Sequence, residues 1–288
     1  MVSITPWVAG ARPRTLPAAI VPVLVGTGIA ISGKHFSPLK AMLALGVSLA
    51  LQVATNYSND YSDGVKGTDK TRSGPQRLVA SGLKSAKSVK LAAYLFFLIA
   101  GILGLVLAVM TSYWLIAVGA ASILAGWFYT GGSKPYGYYG YGELFVFVFF
   151  GLVAVVGTAY VQIGSIHVNQ FVAAVPVGIS SVCLLVVNNL RDIPSDDLAG
   201  KKTLAVRMGD SATRSFYQVL ILAMFLFVLV STYYFRYAFI GLLAIPLAIP
   251  PLKAIRSGAK GVDLIPALGA TGRMQLALAV AFAIGIAI

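Results

Sequence analysis

Long apolar runs alternate with short polar segments along almost the whole chain. Nine runs approach or exceed the roughly 18 residues that mark a transmembrane helix, at about 15–33, 39–57, 89–110, 113–131, 142–164, 168–190, 213–233, 237–254 and 267–288. Backbone groups in lipid must be hydrogen-bonded within the protein, so each run predicts a helix and not an open strand. Three prolines, Pro246, Pro250 and Pro251, should kink or shorten the eighth run. The pattern predicts an all-α, polytopic membrane protein with about nine transmembrane helices.

The composition excludes a water-soluble domain. Hydrophobic residues make up 58% of the chain and charged residues only 11%, whereas soluble domains carry about 25% charged residues. The net charge of +13 comes from loops, where anionic membrane lipid and a phosphorylated substrate are better partners than nucleic acid. An internal disulfide framework is excluded because the chain has one cysteine, Cys183. This residue lies in the apolar run VCLLVV. His35 and His167 lack the neighbours that zinc-type spacing requires.

The distribution of Lys and Arg predicts the orientation in the membrane. If the amino terminus and every second loop share one side, that side carries 16 of the 22 basic residues, in segments 1–16, 58–88, 132–141, 191–212 and 253–266. The other side carries Lys34, Lys40 and Arg236, and three more basic residues lie within the apolar runs. By the positive-inside rule, the amino terminus and the two longest loops are cytoplasmic. We therefore expect a multi-pass protein of the cell inner (plasma) membrane.

Acidic residues are scarce and clustered. Six of the nine lie in NYSNDYSDGVKGTD (56–69) and NNLRDIPSDDLAGKKT (188–203), each at the predicted cytoplasmic end of an apolar run. Asn56 and Asp60 are four residues apart, as are Asn188 and Asp192, and the two pairs are separated by 132 residues. This recurrence of the same Asn/Asp spacing predicts a weak internal repeat, about 1–131 and 142–254, within a single domain spanning 1–288.

Each cluster can place several oxygen ligands on one helix face. Residues at i, i+3 and i+4 share a face, which groups Asn56, Asp60 and Asp63 on one helix. Asn188, Asp192 and Asp196 are grouped in the same way on another. Facing carboxylates repel unless a cation lies between them, and Mg²⁺ prefers carboxylates together with substrate phosphates. Basic residues that could bind a diphosphate flank both clusters: Lys66, Lys70, Arg72, Arg77, Arg191, Lys201 and Lys202.

Two of these segments resemble the paired aspartate motifs of the UbiA superfamily of intramembrane aromatic prenyltransferases. NDYSD supplies Asn59, Asp60 and Asp63, and DIPSD supplies Asp192 and Asp196. Longer stretches are similar to the branch that acts on 1,4-dihydroxy-2-naphthoate in menaquinone synthesis: ARPRTLPAA, GPQRLVASG, YTGGSKPYGYYGYGELFVFVFFG and NNLRDIPSDDLAGKKTLAVRMG. The chain departs from many superfamily members by having Gly67 at the position of the last Asp of the first motif, with Asp69 two residues further on.

The resemblance implies a fold, a cofactor and a reaction. It implies transmembrane helices around a central cavity that cytoplasmic loops cap. It also implies Mg²⁺-dependent ionisation of an all-trans polyprenyl diphosphate, whose allylic cation alkylates the aromatic acceptor. In the naphthoate branch the attacked ring carbon bears a carboxylate that leaves as carbon dioxide, so the product is demethylmenaquinone.

The resemblance and the clusters together nominate site residues. The expected metal ligands are Asp60, Asp63, Asp192 and Asp196, with Asp69 as a further candidate. Asn56, Asn59 and Asn188 would complete the polar shell, and the diphosphate candidates are Lys66, Arg72, Arg77, Arg191 and Lys134, the last being the only cation of its loop. Tyr136, Tyr138 and Tyr139 could orient the aromatic acceptor or shield the cation, although tyrosines are also common at membrane interfaces.

Several alternatives stay open at this stage. The metal motifs report only the donor, so a prenyltransferase of the same superfamily could use 4-hydroxybenzoate or homogentisate. A divalent-cation or polar-solute transporter could also carry duplicated Asn/Asp clusters, but transporters place them near the bilayer midplane on broken helices. A phosphotransferase of nucleotide-linked alcohols would share DxxDG, but the rest of its motif is missing. The loops could also be ordinary solvated turns, a reading that the scarcity of acids elsewhere disfavours.

Overall fold

The computed structural model describes residues 6–68 and 77–288, and every regular element in these ranges is a helix. The helices are α1 (Pro6–Ala11), α2 (Pro17–Ser32), α3 (Pro38–Lys66), α4 (Ala86–Met110), α5 (Leu115–Phe128), α6 (Gly142–Val146), α7 (Ala154–Ile163), α8 (Val168–Leu198), α9 (Leu204–Ser231), α10 (Ile245–Arg256) and α11 (Ile265–Ala287). A π-helical segment, Phe147–Val153, joins α6 to α7. Short 3₁₀ turns cover Pro13–Thr15, Tyr136–Tyr139, Ala238–Ala244 and Gly261–Leu264.

The described part of the chain contains seven helical segments that are long and apolar enough to cross a membrane. They are Pro38–Lys66, Ala86–Met110, Gly142–Ile163, Val168–Leu198, Leu204–Ser231, Ala238–Arg256 and Gly261–Ala287. An eighth arises if Pro6–Thr15 and Pro17–Ser32, which meet at 46°, form one broken span. The fourth predicted run is occupied by α5, which is only 14 residues long. The all-α prediction is confirmed, and each of the nine predicted runs coincides with a helix, while the number of full spans is seven or eight.

The two helices that carry the Asn/Asp clusters extend beyond their apolar runs. Helix α3 continues to Lys66, where Gly67 ends it in the left-handed conformation at φ 74°. Helix α8 continues through Pro194 to Leu198. Asn56, Asn59, Asp60 and Asp63 therefore lie on the last turns of α3, and Asn188, Asp192 and Asp196 lie on those of α8. These polar turns stay helical because they pack against protein, as the burial of Asn56, Asp60 and Asp192 shows.

The later helices begin and bend where single residues require it. Helix α9 begins at Leu204, earlier than expected, because the Thr203 side chain accepts a hydrogen bond from the Val206 N–H. Gly209 then kinks α9 with φ 77° and ψ 172°. In the eighth run the chain starts as a 3₁₀ turn and becomes α-helical at Ile245, so Pro246 lies in the first turn of α10, where proline is tolerated.

The largest buried apolar cluster fills the space between α2, α7, α8, α9 and α11. Close approach of the π-helical segment to α8 depends on glycine, because a Cβ on Gly151 would lie 2.5 Å from the Gly178 Cα. Polar side chains also join helices inside this core: Gln275 Nε2 donates to the Ser180 and Ser181 hydroxyls at 3.1 and 2.9 Å. This packing fixes α8, so the end of α8 that carries the second cluster is held beside the end of α3. The internal repeat stays a prediction.

Candidate active site

Two adjoining cavities occupy the middle of the helix bundle. The larger, of about 350 Å³, is mostly apolar and lies between α2, α3, α4, α5, the Gly142–Ile163 segment and α8. The smaller, of about 80 Å³, is polar and is lined by Arg12, Asn59, Asp63, Arg77, Tyr129, Thr130, Tyr138, Asn188, Asn189, Asp196, Lys201 and Thr203. Arg12, Asn59, Tyr129 and Asn188 line both cavities. The two spaces therefore meet at a shared wall.

The apolar cavity is long. On α3 its lining extends from Asn59 to Ala44, about 22 Å along the axis at 1.5 Å per residue. Its far end is lined by Leu107, Leu115 and Val161. A cavity of this shape suits a long apolar chain whose charged head lies in the polar cavity.

Asp63 lies at the centre of the contacts between three polar segments. Its Oδ1 accepts a hydrogen bond from the Tyr138 hydroxyl at 2.6 Å, and its Oδ2 lies 3.0 Å from Lys201 Nζ. The Tyr138 ring contacts two ammonium groups, with Lys201 Nζ 4.8 Å and Lys66 Nζ 4.9 Å from the ring centroid. The end of α3, the loop after α5 and the loop after α8 are thus joined around Asp63.

Asp60 holds the chain segment that carries Arg77. Both of its carboxylate oxygens accept backbone hydrogen bonds, from Leu78 N–H at 2.9 Å and Val79 N–H at 3.0 Å. Gly64, one turn further along α3, permits this approach, because a Cβ there would lie 2.5 Å from Val79 Cβ. Arg77, buried and adjacent to this anchor, reaches the polar cavity. Asp60 therefore anchors the backbone that follows Arg77.

The second cluster contains a bidentate pair between neighbouring residues. Arg191 donates to Asp192 through Nε at 2.7 Å and Nη2 at 2.6 Å, and Nη2 also donates to Asn188 Oδ1 at 2.8 Å. Asp196, one turn further along α8, lines the polar cavity. The Arg191–Asp192 pair is buried and holds the side chain of Asn188 at the wall between the two cavities.

Arg12 reaches the site through an unusual backbone conformation. Its φ of 53° lies in the left-handed region, which is uncommon for a residue other than glycine. Asn56 holds this segment by donating to Ala11 O at 2.9 Å and Thr15 Oγ1 at 3.0 Å, and Arg12 Nη2 donates to Asn56 O at 3.2 Å. This geometry brings a guanidinium group to both cavities. The sequence placed Arg12 only among the basic residues of segment 1–16 and in the stretch ARPRTLPAA, and did not nominate it for the site.

The structure gathers six of the nominated residues around the polar cavity: Asn59, Asp63, Arg77, Tyr138, Asn188 and Asp196. Lys201, one of the basic residues noted beside the second cluster, also lines this cavity. Sequence reasoning did not nominate the other five members of the lining: Arg12, Tyr129, Thr130, Asn189 and Thr203. The segments that contain them were quoted for the resemblance, but only contacts distant in sequence show which of their residues face the cavity. Asp69, Lys70 and Arg72 lie outside the described residues.

The remaining nominated residues lie elsewhere. Tyr136 lines the apolar cavity, where its ring stacks on Phe145 at 3.9 Å and its hydroxyl donates to Ala125 O at 2.8 Å. Burial raises the pKa of the Tyr136 hydroxyl, which keeps it neutral. Lys66 Nζ donates to the carbonyls of Thr130 and Gly132. Lys134 and Tyr139 are exposed and are not part of either lining.

The polar cavity has donors suited to a magnesium–diphosphate group. Within the described ranges no three His, Cys, Asp or Glu side chains are grouped closely enough to hold a metal by themselves. The carboxylates of Asp63 and Asp196 nevertheless share one cavity with three asparagine amides, and such oxygens are the ligands that Mg²⁺ takes together with phosphates. Arg12, Arg77 and Lys201 add positive charge to the same wall, so the chemistry of the lining fits the group.

Comparison with known proteins agrees with this arrangement. The profile of the UbiA prenyltransferase family matches residues 19–260. The chain belongs to this family. It is 50% identical over 283 residues to the 1,4-dihydroxy-2-naphthoate octaprenyltransferase of Mycobacterium tuberculosis, covering 98% of this chain and 97% of that protein. It is also 35% identical to the enzyme of the same name from Escherichia coli, with coverages of 97% and 94%.

A solved structure shows the same fold. The structure of a UbiA homologue from Archaeoglobus fulgidus bound to GPP and Mg²⁺ superposes with a TM-score of 0.74, at 15% identity, over 98% of this chain and 99% of that one. The resemblance that the sequence motifs indicated is therefore confirmed. The protein is a UbiA-family membrane protein, and its two joined cavities lie inside the UbiA helix bundle.

Proposed function

We propose that this UbiA-family protein transfers a polyprenyl group from an all-trans polyprenyl diphosphate to 1,4-dihydroxy-2-naphthoate. Carbon dioxide and diphosphate are the other products, and the prenylated product is the naphthohydroquinone, the two-electron-reduced form of demethylmenaquinone. The names of the bacterial relatives support the acceptor. The structural observation that carries the proposal is the junction of a long apolar cavity with a small cationic cavity through Arg12, Asn59, Tyr129 and Asn188.

The polar cavity would hold the diphosphate and Mg²⁺. We assign Asp63 and Asp196, with the asparagines beside them, to the metal, and Arg12, Arg77 and Lys201 to the diphosphate. When bound, Mg²⁺ neutralises the charge of the departing diphosphate. Asp60 and Asp192 already accept hydrogen bonds, but a carboxylate oxygen with one bond keeps a lone pair. Both therefore stay candidate ligands, as does Asp69.

The reacting carbons would lie where the two cavities meet. The allylic C–O bond breaks there and the diphosphate leaves with the electron pair. The acceptor ring carbon then forms the new C–C bond, and its carboxylate leaves as carbon dioxide. The rings of Tyr129 and Tyr136 face this region and can stabilise a passing cation, while the apolar wall keeps water away from it.

We further propose that this protein lies in the cell inner membrane with the polar cavity towards the cytoplasm. The excess of Lys and Arg in the segments beside that cavity supports this orientation. Lipid would surround the apolar helices, and the substrate tail could enter from the bilayer. Nucleic acid is not expected as a partner.

The test is product formation by purified protein in detergent. Farnesyl or longer polyprenyl diphosphate and 1,4-dihydroxy-2-naphthoate are supplied with and without Mg²⁺, and the prenylated product, which oxygen of the air oxidises to the naphthoquinone, is measured by mass spectrometry. We expect Mg²⁺-dependent product that is lost in Asp63→Asn and Asp196→Asn. Asp197→Asn is the matched control, because Asp197 neighbours Asp196 but is exposed and pairs with Lys202.

The outcomes separate the alternatives. If product forms with 4-hydroxybenzoate or homogentisate but not with the naphthoate, the proposed acceptor is wrong and the proposed donor is right. If the folded protein turns over no allylic diphosphate, the proposal is contradicted. A transporter of divalent cations or polar solutes then becomes the better interpretation. Full activity in Asp63→Asn would show that the Asp63 carboxylate is not required as a metal ligand.

A further inference from the structure

A buried carboxyl group lies directly behind the polar cavity. Glu143 is the second residue of α6 and is only 6% exposed. Its Oε1 accepts a hydrogen bond from Asn189 Nδ2 at 3.0 Å. Its Oε2 is also buried and has no hydrogen-bond partner among the residues that the structure describes. Glu143 lines neither cavity itself, but Asn189 lines the polar one.

Stability does not explain this carboxyl group. A buried polar atom without a hydrogen-bond partner destabilises the fold, and Oε2 is such an atom. This destabilisation is present whether Glu143 is ionised or protonated, because neither a donor nor an acceptor for Oε2 lies among the described residues. Such groups occur where function and not stability fixes the residue.

The bond to Glu143 determines which face Asn189 turns to the cavity. Glu143 Oε1 accepts from the NH₂ end of the amide, which leaves the carbonyl oxygen of Asn189 for the other side. The local packing holds this arrangement firmly. A Cβ on Gly142 would lie 3.3 Å from the Tyr129 ring and 3.4 Å from Leu185, so the start of α6 is fitted closely between its neighbours.

Asn189 differs from the other amides of the polar cavity. Asn59 Oδ1 already accepts from Thr130 Oγ1 at 2.8 Å, and Asn188 Oδ1 accepts from Arg191 Nη2 at 2.8 Å. For Asn189 the protein engages the NH₂ group instead. Among the three cavity asparagines, Asn189 is thus the one whose carbonyl oxygen accepts no hydrogen bond from the described residues, so both of its lone pairs are open to a ligand.

We infer that Glu143 is a positioning residue that presents the Asn189 carbonyl oxygen to the Mg²⁺–diphosphate group. The inference rests on the proposed function and extends it to two residues that no sequence motif singled out. Partners that orient metal ligands typically change metal affinity or activity by about 10- to 100-fold when they are lost. We therefore expect Glu143→Gln and Asn189→Leu to weaken Mg²⁺–diphosphate binding without unfolding the protein.

The first readout does not depend on turnover. Thermal unfolding of the protein in detergent is measured with and without Mg²⁺ and inorganic diphosphate. Glu143→Gln should unfold at or above the wild-type temperature without ligand, because it removes a poorly compensated buried carboxyl group. Its stabilisation by Mg²⁺ and diphosphate should require roughly tenfold more Mg²⁺. Asn169→Leu is the control, since Asn169 lies on the opposite end of α8 and lines neither cavity.

A variant that exchanges the carboxyl and amide groups tests whether Glu143 orients the side chain at position 189 or only maintains the local structure. In the double variant Glu143→Gln with Asn189→Asp, the Gln amide donates to one Asp oxygen and the other Asp oxygen faces the cavity. We expect this variant to recover the Mg²⁺ dependence of the wild type. Asn189→Asp alone places two carboxyl groups together and should not recover it.

The outcomes distinguish the inference from the proposed function. If Mg²⁺ and diphosphate fail to stabilise even the wild type, the proposed function is wrong. If they stabilise the wild type and Glu143→Gln at equal Mg²⁺ concentrations, only the inference is wrong. Glu143→Gln that unfolds at a lower temperature with unchanged Mg²⁺ dependence would show a structural role and would also overturn the inference.

Discussion

Lys201 Nζ lies 3.0 Å from Asp63 Oδ2, in a contact between the loop after α8 and the last turns of α3. Both side chains are largely buried, with exposures of 10% and 6%. The ammonium group neutralises a carboxylate that is a proposed magnesium ligand. When a metal–diphosphate group binds, the metal can take over the neutralisation of Asp63 while Lys201 contacts the diphosphate. We therefore expect Lys201 to neutralise Asp63 before substrate binds and to contact the diphosphate afterwards.

Removal of Lys201 should affect both stability and activity. Lys201→Met leaves the Asp63 carboxylate buried without its cation, and breaking a buried pair typically costs about 3 kcal/mol or more. We expect a lower unfolding temperature, reduced turnover and a raised KM for the polyprenyl diphosphate. Lys202→Met is the matched control, because Lys202 and Asp197 are each 56% exposed and exposed pairs contribute less than about 1 kcal/mol. Equal effects of the two substitutions would contradict the assignment.

Tyr138 should act through Asp63 and not through the aromatic acceptor. Tyr138→Phe removes the hydroxyl that donates to Asp63 at 2.6 Å but keeps the ring between Lys66 and Lys201. A hydrogen bond to a charged group contributes about 2 kcal/mol. We expect a raised Mg²⁺ requirement and an unchanged KM for the acceptor, measured by initial rates. Tyr139→Phe, on the exposed neighbour, is the control. A change in acceptor KM alone would support direct contact with the acceptor instead.

The fold and half of the site could be predicted from the sequence because they depend on local pattern. Apolar runs specify the membrane helices, and the clusters on α3 and α8 mark the polar end of the bundle. Hydropathy did not give the ends of these helices, since the polar turns of α3 and α8 are stabilised by burial against other segments. The sequence cannot show that burial.

The residues that sequence reasoning missed depend on contacts between distant segments. Arg12 enters the site because its backbone adopts φ 53° and Asn56 holds the segment. Asn189 is fixed at the polar cavity by its hydrogen bond to Glu143, 46 positions earlier in the chain. Asp192, by contrast, pairs with the adjacent Arg191, a partner that helical spacing alone would not select.

Asp60 and Asp63 should show different defects although they share one motif. Asn at position 60 keeps one acceptor oxygen, so either Leu78 or Val79 N–H loses its bond, at a cost of about 1–3 kcal/mol. We expect Asp60→Asn to increase amide hydrogen exchange in the segment 77–81. It should also raise the KM for the polyprenyl diphosphate, because Arg77 is displaced. Asp63→Asn should raise the Mg²⁺ requirement and leave that exchange unchanged. Identical exchange in both variants would contradict the anchoring role of Asp60.

The depth of the apolar cavity should limit the length of the prenyl chain. Gly104 lines the cavity near Leu107, and a Cβ built there meets no atom within 4 Å. Gly104→Leu therefore fills the far end of the cavity without displacing the helices. We expect kcat/KM for a long polyprenyl diphosphate to fall by roughly tenfold or more relative to that for a short one, because cavity shape discriminates between apolar substrates.

Gly101→Leu provides the matched control for this prediction. Gly101 lies one turn earlier on α4 and is not part of the cavity lining. Both substitutions replace glycine by a better helix former, so they share any gain in helix propensity. Only the change at Gly104 should alter the ratio of kcat/KM between long and short donors. If both variants keep the wild-type ratio, the tail does not occupy this end of the cavity and must leave the bundle between helices closer to the polar site.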